Sequence, residues 1–106
     1  MRIYAQPLGS LTEYILTNPA SGDSVAVVPA HGGIIRSLKL HKAGVEYEVI
    51  QAGRDEKSFL AERSAAGMHL FPWPSRIQYG RYSFGGKDYQ LPVNEQPRQN
   101  AIHGLV

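Results

Sequence analysis

The chain has 106 residues, a hydrophobic share of 42% and a formal net charge of +2, values typical of one folded domain. It contains no cysteine, which excludes disulfides, thiolate nucleophiles and cysteine zinc sites, and its scattered Lys and Arg residues do not favour nucleic-acid binding. Because the sequence shows neither a secretory signal nor a run of the roughly 20 apolar residues that span a bilayer, we expect a cytoplasmic protein with no membrane or nucleic-acid partner.

The predicted elements are short. The chain contains 11 Gly and 7 Pro, which predicts many turns. Runs rich in strand-forming residues predict β-strands over residues 11–18, 24–29, 34–40 and 45–50. The last run alternates apolar and acidic residues, which is typical of an antiparallel strand with one solvent-exposed side. Residues 51–67 are charged and do not alternate, so we expect an irregular loop or a short helix there.

Residues 81–91 predict a β-hairpin. Its loop is Gly85-Gly86, because a two-residue turn of this type needs positive φ at both positions. That loop places Tyr82 opposite Tyr89. The same register collects apolar side chains on one face and polar side chains on the other, as expected for correctly paired strands.

General catalytic motifs are missing from the sequence. The four histidines have no metal-ligand spacing, and there is no nucleophile elbow or phosphate-binding loop, so we expect no cofactor and no metal. Arg76 lies in an apolar run and needs a partner. Its guanidinium either pairs with a carboxylate or backbone carbonyls, or offers a donor fork to substrate hydroxyls. His103 is either structural or a proton-transfer group, and the adjacent Gly104 lets another group approach closely.

Four motifs in chain order resemble the N-terminal region of the aldose 1-epimerases, or galactose mutarotases. They are Pro-Ser-Arg-Ile at 74–77, Gly-Arg-Tyr at 80–82, Tyr-Gln-Leu-Pro-Val-Asn at 89–94 and Asn-Ala-Ile-His-Gly at 100–104. The residues upstream also resemble the opening strands of that family. The resemblance implies an all-β fold, an antiparallel β-sandwich of the galactose mutarotase-like type, of which residues 1–106 are a single N-terminal portion.

The resemblance also implies a reaction, the interconversion of the α and β anomers of free hexoses such as galactose or glucose. A base removes the proton of the anomeric hydroxyl while an acid protonates the ring oxygen, each contributing roughly 10²–10⁴-fold. By position, Ser75, Arg76 and His103 bind the sugar, and His103 also supports catalysis. The family usually has Asn at the position of Ser75, whose hydroxyl has a shorter reach.

The acid and base of the family lie downstream of its His-Gly motif, outside these residues. We therefore expect this chain alone to be inactive, with a rate of anomerisation roughly 10⁴-fold or more below that of a protein with both groups. Two alternatives remain open. One is a non-catalytic carbohydrate-binding or interaction module. The other is a relative acting on hexose 6-phosphates, for which Arg81, Lys87 and Arg98 are the candidate cations. As a fragment, the chain should also leave strand edges unpaired, which predicts self-association.

Overall fold

A computed structural model describes residues 1–50, 52–61 and 65–104. Its contacts separate two units, Met1–His69 and Leu70–Val106, each of which is described by itself. The described residues form mostly antiparallel β-structure, which confirms the expected fold class at that level. No helix among them is long and apolar enough to cross a membrane.

The first unit is built on a five-stranded sheet in the order β1-β2-β3-β4-β5, each strand antiparallel to the next. The strands are Arg2–Leu8, Leu11–Thr17, Ser24–Val28, Ile34–Lys42 and Val45–Glu48. Strands β2 to β5 confirm the four predicted runs, with small differences at their ends. Strand β1 was not predicted, since it contains Pro7, which lacks a backbone N–H. Proline is tolerated there because β1 is an edge strand.

A small apolar core lies in this first unit. Leu8, Val28, Ile34 and Phe59 are buried together, and Leu11 packs against them. Phe59 reaches the core from α1, Glu56–Leu60, which lies within residues 51–67. The Asp55 carboxylate caps this helix by accepting the Ser58 N–H at 2.7 Å. Gln51 and residues 62–64 of that segment lie outside the described residues.

Strand β5 differs from its prediction in one respect. All four of its residues are exposed, including the apolar Val45 and Tyr47. The expected alternation is present in the sequence, but no described residue of the unit buries its apolar side. The strand lies at the edge of the sheet and pairs with β4 alone.

The second unit contains two pairs of strands. Strand β6, Arg76–Gln78, pairs with β9, Asn100–Ile102, and the hairpin joins β7, Arg81–Phe84, to β8, Lys87–Gln90. The hairpin register is the predicted one. Tyr82 faces Tyr89, with ring centroids 5.0 Å apart and planes at 12°. The loop glycines, Gly85 and Gly86, have φ values of 57° and 73°.

Candidate functional site

The β6–β9 pair brings the predicted site residues together. Arg76 lies opposite Ile102 at the end of this ladder. One position beyond it, the His103 N–H donates to the Ser75 carbonyl at 3.0 Å. The Ser75 N–H donates to His103 Nδ1 at 3.1 Å. Ser75 and His103 are 28 positions apart in the sequence, yet they meet where two short strands end, with Arg76 adjacent.

The backbone at this point is unusual. Ser75 and His103 both have φ of 61°, in the left-handed region that most residues avoid. Gly104 has φ of 87°, and a Cβ there would lie 1.8 Å from the Phe71 carbonyl oxygen. The close approach expected at Gly104 is therefore made by the backbone of the chain itself, at the bridge between Phe71 and Gly104.

The contact between Ser75 and His103 determines the tautomer of the neutral imidazole. Because Nδ1 accepts a backbone N–H, the neutral ring carries its proton on Nε2. His103 is half-buried. The backbone thus holds the ring in one tautomer, with Nε2–H as the group able to donate to a ligand oxygen.

Arg76 has a carboxylate partner. Its Nε–H donates to both oxygens of Glu95, at 3.0 and 2.8 Å, and Nη2–H donates to Oε1 at 2.7 Å. This is a side-on pair, formed by Nε and the Nη on the same edge of the guanidinium. The structural alternative for Arg76, pairing with a carboxylate, is therefore realised. The Arg76 side chain is nevertheless 43% exposed, against 16% for Glu95.

Glu95 is fixed by further bonds. Asn100 Nδ2–H donates to Glu95 Oε2 at 2.9 Å, and the Glu95 N–H donates to the Asn100 carbonyl at 3.0 Å. Hydrogen bonds from Arg76 first, and from Asn100, lower the pKa of Glu95 from its ordinary 4.5 to about 2. The same carboxylate raises the pKa of Arg76. Both charges are retained at any pH near neutrality.

Glu95 was missed in the sequence. The available signal was that Arg76 needs a partner, but sequence spacing does not choose among the acidic residues. Asn94 was part of a quoted motif without a role. Its side chain donates to the Ile102 carbonyl at 2.9 Å and accepts the Ile102 N–H at 2.7 Å, which ties residues 94–95 to β9.

The cations proposed for a sugar phosphate do not gather at one point. Arg81 bonds Gln90 Oε1 at 2.9 Å, and Lys87 lies opposite Phe84 at the hairpin tip. Arg81 and Phe84 are an odd number of positions apart on β7, so Arg81 and Lys87 lie on opposite faces. Only Arg98 approaches the candidate site, with Nη1 3.4 Å from Glu95 Oε1.

Two further observations concern the described part of the chain. No group of three or more His, Asp or Glu side chains there is arranged to hold a metal ion. Trp73 Nε1 is buried and has no hydrogen-bond partner within those same residues.

Comparison with known proteins identifies the family. The model of the aldose 1-epimerase family matches residues 13–106. The chain belongs to the aldose 1-epimerase family. This match includes Ser75, Arg76 and His103, begins within β2 and runs through β9, and it confirms the resemblance. Members of this family bind aldose sugars.

Two relatives show how much of a longer protein is matched. The uncharacterized protein YihR of Escherichia coli (strain K12) is 52% identical over 40 residues, which are 38% of this chain and 13% of that protein. The galactose mutarotase of Mus musculus is 32% identical over 63 residues, which are 59% of this chain and 18% of that protein. The chain thus matches less than a fifth of the length of either relative.

Proposed function

We propose that this chain provides the sugar-contacting, N-terminal part of an aldose 1-epimerase site on a galactose mutarotase-like β-sandwich. Ser75, Arg76 and His103 would bind a free hexose of the glucose or galactose type. The observation that supports this most is the meeting of Ser75 and His103 beside Arg76 at one end of the β6–β9 ladder. Three residues from two separate motifs of the family are adjacent in this fold.

The donors at this point suit hydroxyl oxygens. The His103 imidazole is held with its proton on Nε2. The Arg76 guanidinium uses only its side-on edge for Glu95, so its Nη1 donors face away from that carboxylate. Ser75 adds a hydroxyl that both donates and accepts. A sugar presents several hydroxyls, each able to accept such bonds, and needs no metal to be held.

Binding and anomerisation are separable under this proposal. Arg76 keeps its proton at neutral pH, so it does not remove the anomeric proton. The resemblance to the family implies that its acid and base follow the His-Gly motif. We expect the chain to bind hexoses and to leave their anomerisation rate close to that of buffer.

The test combines polarimetry and binding. Freshly dissolved α-glucose or α-galactose is followed with the chain and with an Arg76→Ala/His103→Ala double variant, while binding is followed by NMR titration of both proteins. Lys87→Ala, at the exposed hairpin tip, is the matched control. The proposal is supported if the wild-type chain and Lys87→Ala bind the hexose without accelerating its anomerisation, while the double variant does not bind it. Acceleration by the wild-type chain would contradict the separation of binding from catalysis. No binding would overturn the proposal.

A sugar phosphate is the second candidate, favoured by the approach of Arg98 to Glu95. With Arg76, two guanidinium groups share one carboxylate, which leaves a local positive charge. Glucose 6-phosphate and glucose should be compared at low and high salt, since an ionic contact between exposed groups weakens as salt rises. Tighter, salt-sensitive binding of the phosphate that Arg98→Ala removes would favour this candidate.

A further inference from the structure

We infer that Glu95 is a positioning residue for sugar binding, which acts by fixing the orientation of the Arg76 guanidinium. This inference rests on the proposed function, because it assigns a role within the same site. Glu95 does not itself need to touch the sugar. Its part is to determine which N–H groups of Arg76 are presented to it.

The geometry of the pair supports this role. Arginine has five N–H donors in one plane. Glu95 takes Nε–H and one Nη2–H, which form the side-on edge. The two Nη1–H groups and the second Nη2–H remain, and no described residue accepts from them. One Nη1–H and this Nη2–H point the same way as a fork, so two neighbouring hydroxyl oxygens match their spacing.

The carboxylate is itself held in place. Asn100, on β9, donates to Glu95 Oε2, and two backbone hydrogen bonds join residue 95 to residue 100. Strand β9 ends at Ile102, and His103 follows it directly. Strand β9 therefore helps to fix the orientation of Arg76, through Asn100 and Glu95, and also positions His103. A free arginine side chain would sample many rotamers, and much of that freedom would be lost on binding.

A purely structural role for the pair predicts something different. Arg76 is 43% exposed, and exposed ion pairs contribute little to stability. If the pair only stabilised the β6–β9 ladder, its loss would lower the melting temperature and leave the hexose affinity of the folded protein unchanged. The two roles are therefore separated by measuring affinity on folded variants.

The experiment uses the 106-residue chain and the variants Glu95→Gln, Arg76→Ala and Glu46→Gln. The glutamine introduced by Glu95→Gln is nearly isosteric with glutamate, but it is uncharged and has one accepting oxygen where the carboxylate has two. Glu46 is the matched control, an exposed carboxylate paired with Lys39 at 2.9 Å. Galactose and glucose affinities are measured by amide NMR titration, and the Arg76 Nε–H resonance reports on the guanidinium. Glu95→Asp replaces Glu95→Gln if the latter loses its dispersed amide spectrum.

The expected result is a loss of affinity of roughly tenfold in Glu95→Gln, close to that of Arg76→Ala, with none in Glu46→Gln. The Arg76 Nε–H resonance should be slow to exchange with water in the wild type and fast in Glu95→Gln. Wild-type affinity in a folded Glu95→Gln would overturn the positioning role alone. A wild-type chain that binds no hexose would overturn the proposed function and this role with it.

Discussion

Each of the two units is stabilised in a different way, and a pair of Arg and Glu side chains in each makes the difference clear. In the first unit, Glu13 is 1% exposed and accepts hydrogen bonds from Arg36 and Gln6, and the same unit has a core of aliphatic residues and Phe59. In the second unit, the Arg76–Glu95 pair is at the surface, and Ala101 is the one buried apolar residue among those described.

The contrast indicates what each pair does. A buried charge without its partner is costly, so breaking the Glu13–Arg36 pair should strongly destabilise the sheet. An exposed pair adds little to stability and leaves part of the guanidinium accessible. The second unit instead depends on close backbone packing and hydrogen bonds, while Phe71 and Phe84 are 68% and 75% exposed. The same two residue types thus serve the fold in one unit and a candidate site in the other.

The largest effect is expected at the buried pair. Arg36→Met leaves the Glu13 carboxylate buried without its cation, and should lower the free energy of unfolding by about 3–5 kcal/mol. Urea denaturation followed by far-UV circular dichroism measures it. Arg54→Met, an exposed arginine of the same unit, is the control and should change little. A loss below about 1 kcal/mol in Arg36→Met would show that the pair behaves like an exposed one.

The next effect concerns backbone packing in the second unit. Gly104→Ala places a methyl group 1.8 Å from the Phe71 carbonyl oxygen at a positive φ. It should cost about 2–5 kcal/mol, from left-handed strain and overpacking together. Gly85→Ala, where no atom lies within 4 Å of the added methyl group, should cost only about 1–2 kcal/mol. Fluorescence of Trp73, the only tryptophan, follows unfolding of this unit. Equal losses would contradict the packing argument.

A smaller effect is expected from acid. The pKa of Glu95 falls from 4.5 to about 2 on folding, so its contribution to stability is fully present above pH 4.5. It is lost as the pH falls from 4.5 to about 2, because the carboxylate is then protonated and releases Arg76. Thermal melts followed by Trp73 fluorescence should show this loss in the wild type and not in Glu95→Gln. Parallel pH profiles for the two proteins would contradict the assignment.

The smallest effect is expected at Ser75, and it is a gain. Asparagine adopts the left-handed region more readily than serine, and Ser75 has φ of 61°. Ser75→Asn should therefore raise the free energy of unfolding by about 0.5 kcal/mol, part of the left-handed strain. Ser83→Asn, within the regular strand β7, is the control and should bring no gain. A thermal melt without a rise for Ser75→Asn would show that its backbone is not strained.

The predictions that the structure confirms came from local sequence patterns. The Gly85-Gly86 loop determined the hairpin register because a two-residue turn leaves one pairing. The family resemblance singled out Ser75, Arg76 and His103, whose role in sugar binding stays a prediction. The pairing of β6 with β9 joins residues far apart in the sequence, and each strand has only three residues, too few to show alternation. Glu95 was missed for the same reason, because only the pairing of β6 with β9 brings it next to Arg76.

Pro7 in strand β1 has a consequence for aggregation. A free strand edge recruits further chains by offering a regular series of N–H and C=O groups, as in amyloid growth. Proline supplies no N–H, and in edge strands its nitrogen normally takes the solvent-facing side, so β1 is a poor template for an added strand. The opposite edge, β5, carries no proline. Any stacking of this sheet into larger assemblies should therefore be one-sided, starting at Val45–Glu48 and stopping at β1.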